Sequence, residues 1–295
     1  MGRVLSLEAS AFADVPREFA FTKADFERVR RLIHQRAGIA LSDAKFQLAY
    51  SRLARRLRVT EMGSFTDYLD AVESGAIDEW QEFINALTTN LTSFFREPHH
   101  FPILAEHLRR PGLHRTQRIW CTAASTGEEP YSIAMTALDA LGDRGKVEIL
   151  ASDIDTNCLR TAQLGRYRED SIEKLDGERA RRFFLRGVGA NVGWMKVRPS
   201  LQSAVQFEQI NLLATRYPFS GHFDVIFCRN VMIYFDKPTQ LAVLRRFAEL
   251  LTPDGLLFCG HSENFTQARD LFALRGKTVY ALTKSTSPHA RVATT

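Results

Sequence analysis

Residues 87–101 read LTTNLTSFFREPHHF, a polar, hydroxyl-rich stretch that runs into a Phe pair, an Arg, a Pro and two His. Within it Asn90, Thr92 and Arg96 lie two and four residues apart. On an extended or loosely turned backbone, that spacing points an amide, a hydroxyl and a guanidinium at one small ligand. The plainer reading is a helix C-terminus running into a loop, and if the stretch stood alone it would be preferred. His99 and His100 invite a catalytic label, but they read more simply as caps of a helix that starts near Pro102. His261 reads as structural in the same way.

Other chemistry-bearing residues fall where apolar runs end. RIWCTAA exits into Ala123-Ala124-Ser125-Thr126-Gly127-Glu128-Glu129-Pro130, whose small residues and glycine let a ligand come close to the backbone. Two carboxylates there oppose a diphosphate held by a helix dipole, and they suit a cation. KVEILASDID exits at Asp153 and Asp155, where a carboxylate can accept both hydroxyls of a ribose. A helix cap is the competing role for Asp153, although Asp155 or Thr156 fills it better. Just beyond VQFEQ, Asn211 offers an amide to the edge of an adenine and Leu212 an aliphatic to its face. Arg229 and Asn230 follow FDVIFC, and Tyr234 is close enough in sequence to line the same crevice. A positively charged nucleoside without phosphates satisfies these groups together, and S-adenosylmethionine is such a molecule.

The elements that must position these residues follow from periodicity. From Gln117 onward strands alternate with helices, which predicts an α/β fold with a doubly wound, mainly parallel sheet and ligands beyond its carboxyl edge. KPTQLAVLRRFAELLTPDG reads as a helix stopped by Pro-Asp-Gly, and FALRGKTVYALTK as a closing antiparallel hairpin. Residues 166–202, containing RGVGANVGWMKVRPSL, read as an insertion. Its glycines at 187, 189 and 193 precede a short alternating strand, so a small β-excursion is expected, with an edge open to peptide addition. A phosphate loop is rejected, because no strand-to-helix junction or Lys-Ser/Thr pair is present.

Residues 21–88 carry four helical patterns, a small bundle. In the second, Arg52, Arg55 and Arg56 share a face away from Leu53 and Leu57. An ordinary solvated face explains them equally well, but residues 1–60 hold 12 Lys or Arg against 6 Asp or Glu, while the whole chain has a net charge of only +5. The positive field therefore sits at the N-terminal end and suits an acidic partner docking there.

The chain has 295 residues, 45% of them hydrophobic, enough for one large domain and a smaller one. No apolar run approaches eighteen residues and the start lacks a signal-peptide pattern, so a cytoplasmic chain without membrane insertion is expected. The cysteines at 121, 158, 228 and 259 lack metal-ligand spacing and read as reduced residues, with no metal site.

LTTNLTSFFRE, AASTGEEPYSIA, ASDID, FCRNVMIYFDK and PDGLLFCGHSEN resemble, in order and spacing, the CheR-type chemotaxis receptor methyltransferases, over Phe21 to Lys284. The resemblance implies a class I methyltransferase-like sheet and transfer of a methyl group from S-adenosylmethionine to receptor glutamates, leaving S-adenosylhomocysteine. It implies cofactor contacts at Asn90, Thr92, Arg96, Glu129, Asp153, Asn211, Leu212, Arg229 and Asn230, with Arg96 and Tyr234 nearest the reacting methyl. By the same resemblance the chain divides into an extension (1–20), a basic receptor-docking domain (21–88) and a methyltransferase domain (89–284) with a β-subdomain at 166–202; the residues that follow (285–295) read from their composition as a disordered tail. The partners it implies are the cytoplasmic helices of chemoreceptors in membrane arrays, and for some members a receptor C-terminal pentapeptide on the β-subdomain. The first strand loop departs from the Gly-x-Gly-x-Gly common in methyltransferases, as it does in this family.

Three rivals compete. A nucleic-acid methyltransferase would use RNVMIY, which resembles an Asn-Pro-Pro-Tyr element without its prolines, together with the basic N-terminus. A non-catalytic adaptor would keep the pocket, but retention of Arg96 and Tyr234 counts against it. A nicotinamide dehydrogenase is disfavoured by the acidic first loop.

Overall fold

The computed structural model describes residues 18–110, 116–142, 146–173 and 175–283. The expected tail at 285–295, and most of the extension at 1–20, lie outside them. The chain divides into two compact units, residues 1–87 and 88–295.

Four helices build the first unit: α1 (Lys23–Ala37), α2 (Phe46–Val59), α3 (Phe65–Ser74) and α4 (Trp80–Leu87). A capping box starts α1, with the Thr22 hydroxyl accepting from the Asp25 N–H and the Asp25 carboxylate accepting from the Thr22 N–H. Gly38, at φ 71°, ends it in the left-handed conformation that glycine adopts at least cost. Phe21, Phe26, Phe46 and Phe65 interlock between the helices with ring centroids 4.4 to 6.3 Å apart. The arginine face expected on α2 is broken up. Arg56 turns inward to Glu79, 2.6 Å away and 6% exposed, and Arg52 donates to the Ala86 carbonyl at 3.2 Å. Of the three arginines only Arg55 is exposed. A carboxylate buried in so small a bundle needs a cation beside it, and α2 supplies one.

The second unit runs α5 (His100–Leu108), β1 (Gln117–Cys121), α6 (Glu128–Leu141), β2 (Val147–Asp153), α7 (Thr156–Leu164), β3 (Arg166–Arg168), α8 (Gly177–Phe183), β4 (Phe184–Arg186), β5 (Trp194–Val197), α9 (Pro199–Gln202), β6 (Val205–Gln209), β7 (Phe223–Cys228), α10 (Lys237–Leu250), β8 (Leu251–Cys259), β9 (Phe272–Gly276) and β10 (Val279–Leu282). Seven strands form one sheet in the order β6-β2-β1-β7-β8-β10-β9, parallel from β6 to β8 and antiparallel through β10 and β9. Alternate residues enter cores on opposite faces. Ile119, Cys121, Val225 and Phe227 pack with α5 and α6, whereas Trp120, Ile226 and Cys228 pack with α10. The doubly wound sheet expected from the strand–helix rhythm is therefore what forms.

Two local expectations are corrected. Helix α10 ends at Leu250, and Pro253-Asp254-Gly255 lies within β8, where pairing jumps from Phe223↔Leu251 to Val225↔Leu256. A bulge absorbs the proline, which has no N–H for the ladder. Helix α5 begins at His100, not Pro102, and His99 makes no capping bond. The closing hairpin forms as expected, with Lys277 and Thr278 at φ 51° and 57° in a tight turn.

Strands β3, β5 and β4 make a separate three-stranded antiparallel sheet within residues 166–202. A Cβ on Gly187 would lie 2.0 Å from the Asn191 carbonyl oxygen, so the β4–β5 loop closes only around a residue without a side chain.

Candidate functional site

The strand order reverses between β1 and β7, so the ligand crevice of this sheet lies at the carboxyl ends of β2, β1, β7 and β8. At the β2 end Asp153 is 8% exposed. One carboxylate oxygen accepts the Ser125 N–H at 2.8 Å and the other the Asp155 N–H at 2.9 Å. Burial pushes this carboxyl up to about 6, and the two backbone N–H groups limit the rise. Both oxygens are oriented but not saturated, since a carboxylate can accept about four hydrogen bonds.

Asp155 caps α7 through the N–H groups of Asn157 and Cys158. Its second oxygen takes the Thr88 hydroxyl at 2.6 Å and the Asn90 amide at 2.7 Å, and the Ser125 hydroxyl donates to the Asn90 carbonyl at 2.9 Å. The segment carrying Asn90, Thr92 and Arg96 is thereby moored to the β1 and β2 exits. Thr92 is half-buried and makes no side-chain hydrogen bond among the described residues. In the β1 loop the glycine is required by packing. A Cβ on Gly127 would come within 2.5 Å of the Tyr167 hydroxyl and 2.9 Å of the Ala162 methyl.

Arg96 is half-buried and donates from Nη1 to the Leu91 carbonyl at 2.7 Å. Its neighbours Phe95 and Glu97 hold φ angles of 52° and 55°, and Ser125 and Asn230 hold 47° and 57°. Each such residue costs on the order of 1–3 kcal/mol, so backbone strain is concentrated along this edge. Arg229, at the β7 exit, has a fully buried side chain. Its Nη1 lies 2.7 Å from a Glu129 oxygen, and its Nη2 donates to the Arg96 carbonyl and sits 3.4 Å from Glu97. Burial pushes the Glu129 carboxyl up, against the pull of Arg229. Burial would raise Glu97 too. There Arg229, the His261 ring and N–H, and the Asn230 amide outweigh it and hold the carboxyl at about 2.

The Asn230 amide reaches Glu97 at 3.3 Å, and Tyr234, half-buried, closes the short turn that follows. Beyond β6 the Ile210 N–H bonds the Asp153 carbonyl at 3.1 Å, which brings Asn211 and Leu212 alongside Asp153. The Asn211 side chain accepts the Leu213 N–H at 2.9 Å, shaping its own turn. Leu212 is buried, and its carbonyl takes the Tyr217 hydroxyl at 3.0 Å and Arg246 at 2.8 Å.

Direct bonds thus join Asn90 and Asp153 through Asp155 and Ser125, and Arg96, Glu129, Arg229 and Asn230 through Arg229 and Glu97; chain continuity links the two sets and adds Thr92, Asn211, Leu212 and Tyr234. Sequence reasoning missed Glu97 and gave Asp155 only a cap. A signal for Glu97 existed, because an arginine at the exit of a strand as apolar as VIFC needs buried carboxylates, and Glu97 adjoins a residue already singled out.

Glu97, His99 and His100 bring one metal-ligand atom each within 4.8 Å of one another. The guanidinium of Arg229 already supplies positive charge to that carboxylate, which opposes a divalent cation there. His100 is fully buried, with Nε2 2.8 Å from the Lys277 carbonyl, so that nitrogen carries the proton. Burial holds the ring down to about 4, hence neutral.

Residues 90–281 match the family described as CheR methyltransferase, SAM binding domain, and residues 24–88 match CheR methyltransferase, all-alpha domain. A chemotaxis protein methyltransferase of Klebsiella aerogenes is 55% identical over 93% of this chain and 95% of its own length. One from Escherichia coli K12 is 52% identical over 94% of this chain and 97% of its own. Among solved structures, PKMT2 from Rickettsia typhi in complex with AdoHcy is similar at a TM-score of 0.35 and 16% identity, over 58% of this chain and 26% of that one.

Proposed function

The chain belongs to the CheR methyltransferase family, and from that premise we propose that it esterifies glutamate side chains on the cytoplasmic helices of chemoreceptors. It is an S-adenosylmethionine-dependent methyltransferase serving chemotaxis and sensory adaptation. When bound, S-adenosylmethionine supplies a methyl group carried on a sulfonium. Asp153 accepts the ribose hydroxyls, Asn211 and Leu212 meet the adenine, and Glu129 provides negative charge near the sulfonium end. Asn90, Thr92 and Asn230 complete the cofactor contacts, and Arg229, whose side chain is fully buried, serves them by holding Arg96 and Glu129 in place.

A glutamate side chain, with an ordinary pKa of about 4.3, is ionised at neutral pH, so attack on the methyl needs no general base. The reaction merges an anion with a cation and removes both charges, so strong stabilisation of the separated ions would slow it. The residues must therefore orient the reactants and exclude water. Arg96 acts as a clamp that holds a substrate or cofactor carboxylate bidentately, and Tyr234 gives one directed hydrogen bond beside the methyl path.

The observation that carries this reading is the bond from Arg229 to the Arg96 carbonyl, made by a guanidinium that also grips Glu129. It ties the residue assigned to the reacting atoms to the exits of β7 and β1, the central strands. Residues 21–88 serve as the receptor-docking domain, residues 89–284 as the methyltransferase domain, and the β3-β5-β4 sheet accepts a receptor C-terminal peptide by strand addition. No helix among the described residues is long and apolar enough to cross a membrane, in keeping with a cytoplasmic enzyme recruited to receptor arrays.

The test is incubation with radiolabelled S-adenosylmethionine and chemoreceptor-containing membranes. Base-labile label on a receptor is expected, because carboxyl methyl esters hydrolyse in base whereas N-methyl groups do not. Base-stable label, or none from folded protein, would remove the reading.

A further inference from the structure

We propose that Glu263 is a positioning residue for methyl transfer, fixing the Arg229–Tyr234 turn without touching cofactor or substrate; this rests on the reading of that turn given above. Glu263 lies in the loop after β8 and is 3% exposed. Its Oε2 accepts the N–H groups of Gly260 at 2.5 Å and Asn230 at 3.1 Å, and its Oε1 accepts that of Met232 at 2.8 Å. One carboxylate thereby staples the exit of β7 to the exit of β8.

The geometry leaves little slack. Asn230 is in the left-handed region at φ 57°, a conformation that needs its surroundings to hold it. A Cβ on Gly260 would lie 2.5 Å from the Asn230 amide nitrogen and 3.0 Å from Glu263 Oε2, so the two exits are in van der Waals contact. Two carboxylates divide the work on this turn. Glu97 holds the side chains of Asn230 and Arg229, and Glu263 holds the backbone of Asn230 and Met232. Tyr234 sits two residues beyond Met232, in the same short turn. Removing the staple frees two N–H groups on the segment between Arg229 and Tyr234, so Tyr234 moves more than Arg229, which Glu129 still grips.

A glutamine at 263 keeps the shape but offers one acceptor oxygen, and its amide would face a backbone donor. In the full-length protein, Glu263→Gln should lower kcat for receptor methylation by about ten-fold or more while the Kd for S-adenosylhomocysteine, read by calorimetry, changes by less than about three-fold. Glu263→Asp keeps both acceptors on a shorter stem and should recover part of kcat, which also covers the case in which the glutamine variant does not fold. A kcat within two-fold of the parent in Glu263→Gln overturns the proposal. So does a loss of S-adenosylhomocysteine affinity as large as the loss of kcat, or an aspartate variant no better than glutamine. The unmodified enzyme run alongside separates the two claims: if it does not methylate receptors, the functional reading fails first.

Discussion

At the scale of single residues, Arg96 and Arg229 show how one residue type is used in two ways. Arg229 is entirely buried and committed to Glu129 and to the Arg96 carbonyl, so it holds the edge together. Arg96 is half-buried, and among the described residues its guanidinium bonds to the Leu91 carbonyl. Arg96→Ala should therefore lower kcat/KM by about a hundred-fold, as expected when an orienting clamp is lost, while stability falls by no more than about 1 kcal/mol. Near-normal turnover in the folded variant would remove its role. Asp153 yields a prediction about pH. Its carboxyl in the folded chain titrates at about 6, above the ordinary value of about 3.9, so between those values the folded chain keeps a proton that the unfolded chain has lost. Ionising Asp153 as pH rises through that window costs the free enzyme stability, and a ribose that prefers the carboxylate supplies the compensation. S-adenosylhomocysteine binding should release a proton around pH 5 to 6, and affinity should weaken as pH falls below about 6. Calorimetry in buffers of different ionisation enthalpy reads both effects, and Asp153→Asn should abolish the proton release. Affinity independent of pH from 5 to 7 would sink the assignment.

At the scale of elements, what was legible in the sequence was local and periodic. The apolar spacing of KADFERVRRLIHQRA between Thr22 and Gly38 specifies α1 with both its caps, and FDVIFC specifies a strand buried on both faces. What was not legible depended on partners distant in sequence. Nothing near Pro253-Asp254-Gly255 announces that β7 will carry the strand past its own proline, and nothing in α2 announces that Glu79 will claim Arg56. Much of the candidate site was readable for a similar reason, because strand exits mark the ligand edge, whereas Glu97 acquires its role through Arg229, Asn230 and His261, the nearest of them 132 positions further on. The α2 arginines should accordingly separate on mutation. Arg56→Ala strands the buried Glu79 carboxylate and should cost about 3 kcal/mol in chemical denaturation. Arg55→Ala should leave stability unchanged and raise the KM for receptor membranes. Equal effects of the two would show that the solvated face and the ion pair are not distinct. Gly187→Ala tests the small sheet, because its methyl must displace the Asn191 carbonyl. Affinity for a receptor C-terminal pentapeptide should fall while that for S-adenosylhomocysteine holds, and unaltered peptide affinity would detach the β4–β5 loop from peptide binding.

At the scale of the whole molecule, where individual charges lie matters more than their sum. The chain carries a net charge of +5, but the excess of 12 basic over 6 acidic residues in 1–60 is offset by seven acidic and no basic residues in 61–87, so the first unit as a whole holds 12 against 13 and the basic docking domain expected from the sequence is not basic in sum. Within the second unit Arg229, Glu129 and Glu97 form a buried cluster of ion pairs at the ligand edge. Salt screens exposed charges over a Debye length of about 10 Å at 0.1 M and about 3 Å at 1 M, whereas buried pairs feel it far less. The two steps of the reaction should respond differently. Raising NaCl from about 0.05 to about 0.5 M should raise the KM for receptor membranes by roughly ten-fold, through exposed cations of the first unit such as Arg55, with a much smaller change in the Kd for S-adenosylhomocysteine. Single-stranded or duplex oligonucleotides, added at equal charge concentration, should compete weakly, because an acidic helical protein surface is the complement inferred here and nucleic acid shares with it only the sign of its charge. A receptor KM indifferent to salt would show that docking does not use this surface. A donor affinity as salt-sensitive as the receptor KM would show instead that the ligand edge is open to solvent, contrary to the burial of its ion pairs.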